Sequence, residues 1–230
     1  LNFWVIKMKK FQRTILRKAM LGMKKQKGMT LLEIIIALGI IGVVSAGVVV
    51  LAQRAIDAQN MTKATQAANT AQIAMTQTYR NLGKYPASTD RAGAIDVANG
   101  LLGLGRVAED DVKNAFTGEI IPIYAFDRLN ADDNKAFALA YEGLSLDQCR
   151  QLVTNTVEMF PYIEVQAGAT SAKPATAYQA ATAAAGTAGA AVLQAPNGGA
   201  NNLDLTNMTH VSNLCGTDEG ATYTVLLGNS

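Results

Sequence analysis

Between Lys24 and Gly47 the chain reads KKQKGMTLLEIIIALGIIGVVSAG, and one carboxylate, Glu33, is the only charged side chain from Met29 to Ala52. Placing an ionised acid at the centre of a bilayer costs roughly 2.5–3.5 kcal/mol, so an apolar helix that carries one needs a partner for it. Cleavage between Gly28 and Met29 would create an α-amine on Met29, one helical turn from Glu33. In a packed array of such helices, Glu33 of one subunit would pair with the amine of its neighbour. The carboxylate would then set the register of assembly.

The remaining residues with chemical potential are few. Cys149 and Cys215 are the two cysteines, too widely spaced for a metal cluster. In an oxidising compartment they read as one disulfide, and otherwise as two unpaired buried thiols. His210 is the single histidine, with no Cys, Asp or Glu at ligand spacing, so it is not read as a metal site. Asp110–Asp111 and Asp132–Asp133 are acidic pairs in loop-like contexts, expected to be solvated faces rather than catalytic dyads or calcium ligands. No phosphate-binding loop, nucleophile elbow or Cys/His pair is present. These residues predict no enzyme and no cofactor.

The charge distribution is uneven. Residues 1–28 hold nine basic residues and no acidic one, leaving 11 basic and 18 acidic residues from 29 to 230, a net charge of −7. The basicity belongs to the leader, which speaks against nucleic-acid binding by the remainder.

Glu33 must be carried by a membrane-competent helix. Met29–Ala52, at about 1.5 Å per residue, exceeds the roughly 30 Å of a hydrocarbon core. The basic residues before it place the N-terminus in the cytoplasm and the rest of the chain across the membrane. A cleaved secretory signal would explain the leader, but the apolar run is longer than a usual h-region. A plain single-pass anchor would explain the length but not Glu33. Small or apolar residues then recur at Met61, Ala64, Ala67/Ala68, Ala71, Ala74/Met75, Thr78 and Leu82, a 3–4 spacing that continues the helix as an amphipathic one over 53–82. Gly83 suits a left-handed cap, and Pro86 follows. Gly39, Gly42 and Gly47 inside the helix serve either close packing or local flexibility.

The head, 83–230, is expected to be α+β: the long helix packed on an antiparallel sheet. Short helices are expected over 98–106 and 108–115. Strands are expected over 120–126, 135–144, 162–168 and 221–228, with 203–215 a strand entering a short helix. Residues 145–160 read as a helix capped by Ser145 and carrying Cys149. The Ala-, Gly-, Thr- and Ser-rich stretch 167–200 fits either an Ala-rich helix or a surface loop.

Gly28 followed by MTLLEIIIALGIIGVVSAG resembles the processing site and N-terminal helix of type IV pilins. A mature start at Met29 and a long leader point to the type IVb branch. The segments AGVVVLAQRAIDAQNMTKA, TQTYRNLGKYPA and NLDLTNMTHV resemble the same branch, and the likeness weakens over 87–121 and in the Ala-rich stretch. Met8, Met20 and Met23 are candidate initiators, since the chain begins at Leu1.

The resemblance implies a major pilin precursor. A membrane-embedded prepilin peptidase/methyltransferase cuts after Gly28 and methylates Met29, and Glu33 docks subunits into a homo-oligomeric helical filament. The implied partners are the inner membrane, with the head in the periplasm before assembly, and the pilus assembly machinery. The implied end point is an extracellular fimbrium for aggregation, adhesion and host colonisation. A minor pilin or type II secretion pseudopilin shares the N-terminal signature. A membrane-anchored adhesin is the reading from another class.

Overall fold

The computed structural model describes residues 30–129, 133–218 and 220–230. The chain divides into two compact units, Leu1–Gln53 and Arg54–Ser230. The described part of the first is all helix, the beginning of α1 (Leu31–Tyr79). Thr30 starts it: the amide of Glu33 donates to the Thr30 carbonyl at 3.0 Å and to Thr30 Oγ1 at 3.3 Å. Every residue of this stretch is exposed, including the large apolar side chains from Leu31 to Leu51. It is, among the described residues, the one helix long and apolar enough to cross a membrane.

In the second unit the same helix becomes one-sided. Met61, Ala64, Ala67, Ala68, Ala71, Ala74 and Met75 are buried at the expected 3–4 spacing. The alanines let the helix backbone approach the sheet closely enough for the Tyr141 hydroxyl to donate to the Ala64 carbonyl at 2.8 Å. The helix tightens into a 3₁₀ turn, Arg80–Leu82, and stops at Gly83, whose φ of 67° is the left-handed conformation that glycine adopts without steric cost.

The sheet has five strands: β1 (Ile123–Phe126), β2 (Ala136–Leu144), β3 (Tyr162–Ala167), β4 (Val192–Gln194) and β5 (Tyr223–Asn229). Their order is β1-β2-β5-β3-β4, with every pair antiparallel. The C-terminal strand therefore lies at the centre. Strand alternation sends Phe137, Leu139, Tyr141, Val225 and Leu227 into a core shared with α1 and α3 (Leu146–Thr156). Ala136, Ala138, Ala140, Tyr124, Phe126 and Leu226 belong to a second core. Both faces of the sheet are covered, which is why β2 is almost continuously buried.

The cover of the second core is the Ala-rich stretch. It is neither a long helix nor a loose loop. Tyr178, Ala181, Ala183 and Ala195 pack on that face. The Tyr178 amide donates to the Asp127 carbonyl at 2.8 Å, and the Ala184 amide to Val192 at 3.0 Å. The side-chain amide of Asn202 exchanges hydrogen bonds with the backbone of Ala195, at 2.9 and 3.0 Å, as a neighbouring strand would. Small side chains let irregular backbone lie flat on the sheet, and tertiary hydrogen bonds replace helical ones.

Other expectations need correction. The helix expected over 98–106 is α2, Arg91–Gly103. Asp90 starts it by accepting from the Gly93 amide at 2.8 Å, and three glycines within it hide its periodicity. Residues 108–115 hold only the 3₁₀ turn Glu109–Asp111 and a bridge from Lys113 to Ile120. β1 starts at Ile123 rather than 120, just after Pro122, which has no amide to donate. Over 203–215 the only regular element is the short helix α4, Met208–Ser212.

Candidate functional site

Gly28 and Met29 lie outside the described residues. Glu33 sits in the first turn of α1, where the helix dipole favours an acid. Among the described residues its carboxylate has no hydrogen bond and no ion pair. Gly39, Gly42 and Gly47 each have space for a Cβ, with nothing within 4 Å. Contacts among the described residues therefore do not require glycine at these positions.

Cys149 and Cys215 are joined in a disulfide, with their Cα atoms 6.2 Å apart. Ser145 positions Cys149 by capping α3, in a capping box with Gln148. Arg150 fixes the other end: its guanidinium donates to the Leu214 carbonyl at 3.3 Å and to the Gly216 carbonyl at 3.0 Å. Cys215 itself has a φ of 59°. The bridge encloses β3, the Ala-rich cover and α4.

His210 is structural. Its Nδ1 accepts from the Asp204 amide at 3.1 Å, and its ring lies against Gly186, where a Cβ would come within 3.2 Å of Nε2. Among the described residues, no group of three or more His, Cys, Asp or Glu is placed to hold a metal. Asp111 accepts from the Ala108 amide at 3.1 Å, and Asp133 accepts from the Arg128 and Lys135 amides at 2.7 and 3.2 Å. Asp132 lies outside the described residues.

The most elaborate polar cluster escaped the sequence reading. Glu142, 4 % exposed at the end of β2, accepts from Arg91 Nε at 2.9 and 3.0 Å and from Arg91 Nη2 at 2.6 Å. Ser171 adds its amide and its hydroxyl, both at 2.6 Å. The Ser171 hydroxyl lies 2.9 Å from Tyr124 Oη on β1. Arg91 also reaches Glu119 at 2.8 Å. Burial alone would raise the Glu142 pKa, but the Arg91 and Ser171 hydrogen bonds outweigh it and hold the carboxyl below its ordinary value. The Arg91 guanidinium is correspondingly raised, chiefly by its hydrogen bond to Glu142. The cluster ties α2, β1, β2, the 117–120 turn and the loop after β3 into one node. Its one signal in the sequence is Glu142 itself, a charge on the core-facing parity of a buried strand.

Two family profiles match the chain. One, described as the toxin-coregulated pilus subunit TcpA, covers residues 100–228; the other, the prokaryotic N-terminal methylation motif, covers residues 23–49. The toxin coregulated pilin of Vibrio cholerae serotype O1, an El Tor Inaba strain, is 53% identical over 206 residues, covering 89% of this chain and 90% of that one. The chain belongs to the toxin-coregulated pilin family. A second Vibrio cholerae toxin coregulated pilin is 50% identical over 206 residues. The crystal structure of TcpA, a type IV pilin from the El Tor biotype, aligns with a TM-score of 0.69 at 48% identity, covering 75% of this chain and 99% of that chain. Members of the toxin-coregulated pilin family are structural subunits and not enzymes. The long helix, antiparallel sheet and bridged head are accounted for on those terms.

Proposed function

We propose that the chain is the precursor of a major type IVb pilus subunit. It is divided into a leader (1–28), a membrane and polymerisation helix (29–52), an amphipathic continuation (53–82) and a head (83–230). The leader stays cytoplasmic and the head reaches the periplasm, following the basic residues before the span. A prepilin peptidase/methyltransferase cuts between Gly28 and Met29 and methylates the new amine. Glu33 then pairs with the Met29 amine of an adjacent subunit as the helix leaves the bilayer for the filament. The filament is extracellular and serves aggregation, adhesion and host colonisation, as the family likeness implies.

One observation carries this reading. A methylation motif and a pilin head lie on one chain, and the helix bearing the motif exposes apolar side chains on every face with one unpartnered acid. A lipid bilayer can cover the apolar surface but leaves Glu33 unpaired. A bundle of identical helices covers both. N-terminal sequencing and intact mass of the exported protein test it. N-methylated Met29 is the expected start. A start near Gln53 would mean an ordinary secreted protein, and a retained leader a plain anchor.

A further inference from the structure

Two Asn-Gly pairs occur in the sequence, Asn99–Gly100 and Asn197–Gly198. A glycine leaves the peptide nitrogen that follows an asparagine unhindered, so that nitrogen can attack the side-chain carbonyl carbon. Both asparagines are exposed. Their backbones differ. Gly100 lies inside α2, where its amide belongs to the i→i−4 ladder, and its carbonyl accepts from the Leu104 amide at 3.0 Å. Asn197 lies in the turn that follows β4. One backbone bond closes this turn, from the Gly198 amide to the Ala195 carbonyl at 3.0 Å, with Pro196 at its second position. The turn has no alternative to glycine at 198. The Asn202 side chain that pairs with Ala195 lies against it: a Cβ on Gly198 would stand 1.9 Å from Asn202 Oδ1 and 2.7 Å from the Ala183 Cβ. The packing that holds the Ala-rich cover beside β4 thus places the least hindered successor after an exposed asparagine.

We propose that Asn197–Gly198 is a site of spontaneous self-modification in the folded head, and that Asn99–Gly100 is not. The Gly198 nitrogen gives its proton to solvent and bonds to Asn197 Cγ. The Cγ–Nδ2 bond breaks, ammonia leaves, and a five-membered succinimide remains. Water then adds to one of the two ring carbonyls and the ring C–N bond at that carbon breaks. Addition at Cγ gives aspartate and addition at the backbone carbonyl gives isoaspartate. Two hydrogen bonds must open first, Gly198 to Ala195 and Asn197 Nδ2 to the Gln179 carbonyl at 2.8 Å. Neither belongs to a helix or a strand ladder, whereas at Asn99 a turn of helix must unwind. The product changes the cover in two ways. A carboxylate cannot donate to the Gln179 carbonyl, and Gln179 is the residue whose amide ties the cover to the Arg128 carbonyl at 2.8 Å. Residues 174–203 also contain no charged side chain, so the new carboxylate is the first charge on that surface.

The test uses the full chain, solubilised in detergent with its disulfide intact and held at mildly alkaline pH. Peptide mapping by mass spectrometry follows the conversion of each asparagine. Asn197 should convert at least about tenfold faster than Asn99. Isoaspartate should accompany aspartate at 197, because only the succinimide gives both. In denaturant the two pairs should convert within about threefold of each other, since the dipeptide is the same and only the fold has gone. Equal rates in the folded chain overturn the proposal, as does an unconverted Asn197. So does aspartate without isoaspartate, the product of direct attack by water, and so does a tenfold difference that persists in denaturant, which places its cause in the flanking sequence. The reaction needs only the folded head and water, so none of these outcomes bears on N-methylated Met29 or on filament formation.

Discussion

Glu142→Gln is the substitution that most directly probes how the head is held together. It leaves volume nearly unchanged, removes the charge and replaces one acceptor oxygen by a donor. The native carboxylate accepts three hydrogen bonds from Arg91 and two from Ser171. Breaking one partner of a buried ion pair costs about 3–5 kcal/mol, because the other charge is left uncompensated. Here the residual penalty is smaller. The Arg91 side chain is 33% exposed and keeps Glu119. The loss is therefore about 2–4 kcal/mol, while Glu119→Gln, which breaks only the exposed arm, costs about 0–1 kcal/mol. Chemical denaturation of the detergent-solubilised chain, followed by near-UV circular dichroism of the buried tyrosines, reads both.

The pH dependence gives a second, independent check. The folded Glu142 pKa lies below its ordinary value of 4.5. Its contribution is thus fully present above about pH 4.5 and is lost as pH falls through the lower folded value, where the native carboxylate takes up a proton. The stability gap between parent and Glu142→Gln should be widest near neutrality and shrink below pH 4.5. A gap under 0.5 kcal/mol at pH 7, or one that stays constant down to pH 3, would refute the assignment of this cluster as a charge-dependent node.

Glu33→Val should leave membrane insertion and head stability unchanged and reduce piliation sharply, scored by electron microscopy and sheared-pilus yield; undiminished filaments would end the pairing role. Cys215→Ser removes a cross-link worth about 4 kcal/mol in the chain-entropy treatment; little filament and rapid proteolysis of the head are expected, and normal piliation would contradict this. Tyr141→Phe deletes the hydroxyl bonded to the Ala64 carbonyl and should cost about 1 kcal/mol, measured by the same denaturation assay, with no effect on the disulfide.

The parts of the fold visible in the sequence are those governed by local rules. Gly83 and Pro86 mark the end of α1 because a left-handed cap and an imide each act within a turn. Ser145 announces α3 for the same reason. What stayed hidden, the start of α2 apart, depends on partners far along the chain. The α2 start rests on Asp90, a single cap before a glycine-interrupted run. The Ala-rich cover has no period to read, since its conformation is set by Asp127, Val192 and Asn202. The Arg91–Glu142–Ser171 node joins residues up to 80 positions apart (Arg91 to Ser171), and no spacing rule connects them. Cys149 and Cys215 could be paired only by first deciding which compartment they enter, and that followed from the leader rather than from the cysteines.

Glu33 and Glu142 show why one acid was conspicuous and the other was not. Both carboxylates sit among apolar neighbours, and each needs donors or a cation. At Glu142 the fold supplies them in cis, through the guanidinium of Arg91 and the backbone amide and hydroxyl of Ser171. Around Glu33 the described chain supplies none, and the flanking sequence offers only apolar side chains from Ile34 to Val44. A satisfied acid shows in the sequence only as a charge at a core-facing position, because its partners are distant. An unsatisfied one stands out because, among the described residues, nothing in its own chain pairs with it. The two substitutions should therefore fail in opposite ways. Glu142→Gln weakens the subunit, so any effect on filaments should follow its loss of stability and be eased by lower temperature. Glu33→Val should leave a stable subunit whose assembly defect persists at every temperature, which separates a defect of folding from a defect of register.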